Sequence, residues 1–403
     1  MFHKRVLSNG LTIIHNPVVS ETVTVEFSVH TGSVAETSAE AGLSHFLEHL
    51  LFEGTVKRPS SKIIANEIEK YGGEFNAATS PERTFYYVKI AKKHFTVALD
   101  ILSDMFSNSL LDAGKIEKER KVILDEINIV NDNPRHYQWI LFNKALYGKH
   151  PAAKPVYGNL AALKKITRQQ ILSNFQKHYI PSQITVLIVG DIPHAMDSVE
   201  KICGLWKFHS LPQLSSVNMV PYTKKMLKEK KKLSQSYLVL GYQTVVRAHS
   251  DSIILDVICG ILGRGQSGWL FDEIRAKRGL CYSVGIDYDG AKSYGGIGVY
   301  CGMHKKNIPK VQSLILEQFE KLKNVSETDV SEAKTFVEGV LALRHENTAS
   351  YAEELAYWHF VASLEQYHQY ISRLQKITAA DVQRVAKKYF TQDYTMAVLE
   401  QEK

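Results

Sequence analysis

Apolar and polar residues alternate in some stretches of this chain and recur at three- and four-residue spacing in others. The first alternating stretches come at the start: Val6 to Ser8 and Leu11 to Ile14 flank Asn9-Gly10, a dipeptide suited to the positive backbone angles of a tight turn, so a hairpin is predicted. Thr22 to Val29 alternates as a further strand. Pro59-Ser60-Ser61 supplies capping residues for a helix running through Ala65 to Tyr71, after which Phe75 to Ala78 and Arg83 to Ile90 return to strand content. Phe95 to Asn108 and Ala113 to Asn131 read as helices, the second rich in Lys and Glu around an apolar stripe. Strands mixed with long helices, antiparallel signals and no regular βαβ alternation predict an α+β fold rather than a doubly wound nucleotide-binding one.

The pattern then repeats. Lys165-Ile166-Thr167 opens a helix that leads to Lys177-His178-Tyr179 and the strand Thr185 to Val189. At an offset of 211 residues, Lys376-Ile377-Thr378 leads in the same way to Lys388-Tyr389-Phe390 and the strand Thr395 to Leu399. That offset is about half of the 403 residues, so the chain reads as a tandem duplication of two homologous α+β domains, each a mainly antiparallel sheet packed with helices. Residues 1–206 are expected to form the first domain and residues 233–403 the second. Between them, residues 207–232 hold Pro212, Pro221 and six lysines from Lys224 to Lys232, and read as the connection.

Composition narrows the function classes. With 44% hydrophobic and 23% charged residues the chain belongs among globular proteins, and a net charge of +7 interspersed with 42 acidic residues is no footprint for nucleic acid. Cys203, Cys259, Cys281 and Cys301 show no CxxC spacing, which argues against a cysteine zinc site or a disulfide framework and for a reducing compartment. Apolar runs such as Ile253 to Leu262 fall short of the roughly 20 residues a membrane span needs. The first residues carry neither a secretory signal nor a mitochondrial presequence, so the expected location is cytoplasmic, with the mitochondrial matrix, as a mature chain, the alternative.

Candidate chemistry lies in Ala41 to Thr55, which contains His45-Phe46-Leu47-Glu48-His49. On a helix, histidines at i and i+4 share one face and can hold one metal ion. Glu48 projects beside that face, placed to take a proton from an attacking water without ligating the metal. The order is H-x-x-E-H, the reverse of the H-E-x-x-H pattern. A zinc site of this kind needs a third ligand from outside the helix, and Glu119 to Glu126 offers carboxylates for it.

With Glu126 following His49 by 77 residues, the motif resembles the pitrilysin-type metallopeptidases, the family of insulin-degrading enzyme and mitochondrial processing peptidase. The resemblance implies that His45, His49 and Glu126 bind one Zn2+ per chain, that Glu48 is the general base, and that Glu119, two helical turns before Glu126, supports catalysis. It extends to Gly73-Glu74-Phe75-Asn76-Ala77, similar to the family's edge strand, where Asn76 and Ala77 would receive an extended peptide. It also covers Arg275 and Tyr282, similar to a pair that holds substrate near the metal, with Tyr282 adding a hydrogen bond during catalysis. The second half carries no H-x-x-E-H. By resemblance the chain is a half-length subunit, half of a clamshell, and two copies form a homodimer in which Arg275 and Tyr282 complete the partner copy's metal site. The expected activity is zinc-dependent cleavage of short or unfolded peptides, with no nucleic-acid or membrane partner. A non-catalytic core or assembly subunit of the same fold is the alternative.

Overall fold

The structure, a computed structural model, describes residues 2–207 and 225–402. Its first sheet is built from β1 (His3–Val6), β2 (Thr12–Asn16), β3 (Thr22–Val29), β4 (Glu74–Thr79), β5 (Thr84–Ala91) and β6 (Ile184–Val189), in the order β1-β2-β6-β3-β5-β4. β2 and β6 run parallel and the other neighbours antiparallel. The opening hairpin forms with a wider turn than the Asn-Gly pair suggests. Asn9 uses its side chain to donate to the carbonyls of Cys203 and Trp206 and to accept from the Leu11 N–H, so a tertiary anchor shapes the loop, and Gly10 takes φ +89° within it.

Helices that position the site accompany this sheet: α1 (Leu43–Phe52), α2 (Ser61–Glu69), α3 (Phe95–Asn108) and α4 (Ala113–Asp132). Val23, Val25, Phe27 and Val29 of β3 join Phe46, Leu47, Leu102 and Phe106 in one core. The alternate positions Thr24, Glu26 and Ser28 are buried as well, because helix Thr348–Val361 returns from late in the chain. Thr24 Oγ1 donates to Thr348 Oγ1 at 2.9 Å, and Arg83 lies between Glu26 (3.4 Å) and Glu353 (3.7 Å).

The second sheet comprises β7 (Lys225–Lys232), β8 (Ser236–Gln243), β9 (Cys281–Gly290), β10 (Gly295–Met303) and β11 (Thr395–Glu402), in the order β7-β11-β8-β10-β9. This repeats β2-β6-β3-β5-β4 strand for strand, with the parallel pair in the corresponding place. Each sheet is therefore mixed, and the duplication read from the sequence appears as one topology used twice. Both copies of the Ile-Thr signal act as helix starts: Thr167 forms a capping box with Gln170, and Thr378 one with Asp381. Helix α5 (Pro134–Tyr147) packs Leu141, Phe142, Leu146 and Tyr147 with Val239, Tyr294 and Ala397 of the second sheet's core.

Two sequence expectations need correction. The stretch 207–232 was expected to be a connection, yet Lys225–Lys232 is strand β7, parallel to β11. Its lysines stand at a sheet edge, where charge is tolerated, and Lys228 pairs with Glu400. Residues 208–224 of the expected connection lie outside the described residues. The boundaries at 206 and 233 also miss an exchange of segments. Residues 2–128, 155–207 and 344–360 pack as one unit, and 129–154, 225–343 and 361–402 as the other. No described helix is long and apolar enough to cross a membrane.

Candidate metal centre

α1 is amphipathic in the sense the chemistry requires. Leu43, Phe46, Leu47, Leu50 and Leu51 turn into the core, which leaves His45, Glu48 and His49 half-buried on the opposite face. The helix starts at Gly42, whose φ of +97° is left-handed and whose added Cβ would meet the Tyr157 carbonyl oxygen at 2.4 Å. The Glu36 carboxylate closes this start, accepting from the N–H groups of Gly42 (2.8 Å) and Ser44 (2.7 Å). Burial pushes the Glu36 carboxyl up to about 7 against the pull of those two donors.

α4 delivers the carboxylates. Arg120 donates to the carbonyls of Leu163 and Ile166, and Lys118 pairs with Glu53 just past the end of α1. Ile116, Glu119, Ile123 and Ile127 are the buried positions of α4. Glu126 Oε2 lies 3.4 Å from His49 Nε2 and 3.7 Å from His45 Nε2. One donor atom from each of His45, His49 and Glu126 falls within 4.8 Å of the others, the one such grouping among the described residues. Glu119 Oε2 lies 3.4 Å from His49 Nδ1, the ring nitrogen that faces away from Glu126.

The electrostatics follow from these contacts. Burial, reinforced by His49, depresses the His45 pKa to about 4, so His45 is a neutral imidazole, the form that ligates metals. For His49 burial also acts downward, but Glu126, Glu48 and Glu119 outweigh it and the pKa is raised. Glu126 is lowered, first by its hydrogen bond to His49, against burial. Burial raises Glu48, and the Thr79 hydroxyl, which donates to Glu48 Oε2, limits the rise.

Asn76 and Ala77 lie on β4, the outer strand of its sheet, where the Ala77 N–H donates to Asn76 Oδ1 at 2.9 Å. Arg275 is the penultimate residue of a short π-helical segment, Phe271–Ala276, and its guanidinium lies 5.1 Å from the ring centroid of Tyr282, which is 68% exposed. The structure thus groups His45, Glu48, His49, Glu119 and Glu126 in the first unit, and Arg275 with Tyr282 in the second. Helix Ser252–Gly263, at the place of α1 in the second half, contains no histidine.

Sequence reasoning missed Thr79 and Glu36. Thr79 had a signal: it is the polar member of the alternating set Phe75, Ala77, Thr79, whose first two side chains pack on the core. Glu36 had none, since it precedes the helix by several residues.

Comparison with known proteins agrees with this geometry. The family model described as insulinase (peptidase family M16) matches residues 11–159, and that described as peptidase M16 inactive domain matches residues 165–337. An uncharacterized zinc protease of Rickettsia felis is 31% identical over 98% of this chain and 96% of its own length. The uncharacterized zinc protease YmxG of Bacillus subtilis is 28% identical over 99% and 98%. Among solved structures, a protease from Helicobacter pylori superimposes with a TM-score of 0.93 at 21% identity, covering 99% of each chain. A peptidase M16 inactive domain from Pseudomonas fluorescens superimposes with a TM-score of 0.91 at 18% identity, covering 100% of this chain and 98% of the other. At these identities the two structures speak for the fold alone.

Proposed function

This chain belongs to the insulinase family of peptidases, M16, and from that premise we propose that it is a zinc-dependent endopeptidase acting on short or unfolded peptides. The observation that carries the reading is the convergence of His45, His49 and Glu126 beside Glu48. Two imidazoles and one carboxylate suit zinc and leave a coordination position for chemistry, and the relatives named zinc proteases point to the same metal. Bound zinc supplies Lewis acidity, making water more acidic and polarising a peptide carbonyl.

The chain's own residues do the rest. Glu48 accepts the proton of the attacking water and returns it to the leaving amine. Glu119, whose Oε2 stands 3.4 Å from His49 Nδ1, favours by its charge the ring orientation that turns Nε2 toward Glu126. β4 offers a strand edge to which an extended peptide adds by main-chain hydrogen bonds, with Asn76 and Ala77 at the point of contact. Arg275 and Tyr282 hold the peptide, and in a homodimer they act on the metal site of a second copy. The free thiols fit work in a reducing compartment such as the cytoplasm.

The test is cleavage of a mixture of unstructured peptides, with and without a chelator, with zinc restored, and with Glu48→Gln alongside. Zinc-restorable cleavage lost in Glu48→Gln is the expected result. A chain that binds no zinc and cuts nothing belongs instead with non-catalytic core or assembly subunits. For the shared site, a His45→Ala chain mixed with an Arg275→Ala chain should regain part of the activity, and no recovery on mixing rejects it.

A further inference from the structure

α1 fixes where Glu48 stands but not how its carboxylate is turned. A glutamate side chain reaches out through three rotatable bonds, and helix geometry restricts mainly the first of them. The hold comes from the neighbouring strand. Thr79, the last residue of β4, donates its hydroxyl to Glu48 Oε2. Among the described residues, no other side chain donates a hydrogen bond to that carboxylate. The strand is itself held in register, Thr79 opposite Thr84 and Ala77 opposite Tyr86, so its end is a rigid support.

We propose that Thr79 is the positioning residue of the general base: its hydroxyl holds one carboxylate oxygen of Glu48 so that the other is presented to the attacking water. This rests on Glu48 being the base. A hydroxyl suits the task because it donates one directed hydrogen bond and adds no charge beside the metal ligands. A base misplaced by a fraction of an ångström loses rate without losing substrate, so the hydroxyl's contribution falls on kcat rather than KM.

The experiment compares Thr79→Val, which keeps the shape and removes the hydroxyl, with Thr79→Ser, which keeps the hydroxyl and removes the methyl. Thr79→Val should bind zinc at the wild-type stoichiometry and melt within about 2 °C of wild type, since valine matches the shape of the half-buried threonine and leaves no cavity. Its kcat should fall about 10- to 100-fold with KM within about twofold, and Thr79→Ser should recover most of the loss. An unchanged kcat in Thr79→Val overturns the proposal. So does an equal fall in Thr79→Ser, which would assign the effect to packing of the methyl group. A second readout needs neither zinc nor turnover: the 13C resonance of the Glu48 carboxyl in zinc-free protein, identified by its absence in Glu48→Gln. It should move in Thr79→Val and stay in Thr79→Ser, and an unmoved resonance in Thr79→Val overturns the contact. A wild-type chain that cleaves nothing while this resonance moves would reject the peptidase reading and leave the orienting contact standing.

Discussion

At the scale of single residues, the proposed metal centre rests on side chains outside the ligand set of His45, His49 and Glu126. Glu119 is 6% exposed on a helix that otherwise buries isoleucines, a costly place for a carboxylate without partners, and its two oxygens face His49 and Lys118, each at 3.4 Å. Glu119→Gln keeps the shape and weakens the acceptor, so zinc affinity should fall about 10- to 100-fold, read by competition with a chelator of known strength. Glu26 is the opposite case, a buried carboxyl with no part in the centre. Burial pushes it up to about 8 from its ordinary 4.5, and Arg83, 3.4 Å away, offsets only part of that. Because its folded pKa is raised, the stability tied to its proton is complete below about 4.5 and drains as pH rises through about 8. The melting temperature of wild type should therefore decline more steeply between pH 5 and pH 9 than that of Glu26→Gln. Parallel profiles would show that Glu26 does not titrate there.

Elements place these residues, and their ends matter more than their middles. α1 begins on the left-handed Gly42, pressed against the Tyr157 carbonyl. Gly42→Ala adds strain and a clash, and should remove about 1–3 kcal/mol from unfolding in urea while weakening zinc binding, because the first turn carries His45. Strand β7 shows how an element escapes a reading by composition. A stretch of five lysines among eight residues resembles a solvated linker, but β11 supplies backbone partners and Glu400 a counter-charge. The four helix and strand stretches from Phe75 to Asn131 were legible to within one residue at every end, since each has clean periodicity and is bounded by turn or capping residues.

At the scale of the whole molecule, the duplicated halves are not two independent pieces of chain. The first unit takes residues 344–360, which cover the polar side of β3, and the second takes residues 129–154, which bring α5 to the second sheet. A chain cut at residue 206 would expose Thr24, Glu26 and Ser28 and leave Leu141, Phe142, Leu146 and Tyr147 without their sheet. Such a fragment should lack a cooperative urea transition and the near-ultraviolet dichroism of packed aromatics, whereas the full chain should show both. A cooperative fragment that binds zinc would show that the exchanged segments are dispensable.

The sequence by itself determined what local chemistry can write: the helix that puts His45, Glu48 and His49 together, the two Ile-Thr helix starts, and the α+β class. These follow from the 3.6-residue period and from capping, which act over a few residues. Resemblance to a family, more than spacing, pointed to Glu126 and Glu119. Only the tertiary structure decided that Glu126 closes on both histidines, that Thr79 holds Glu48, that Glu36 caps α1, and that residues 129–154 and 344–360 change units. Each of those joins groups distant in sequence or set by backbone geometry beyond any local pattern. They are fixed by which surfaces the core can bury together, and no single stretch of sequence contains that information.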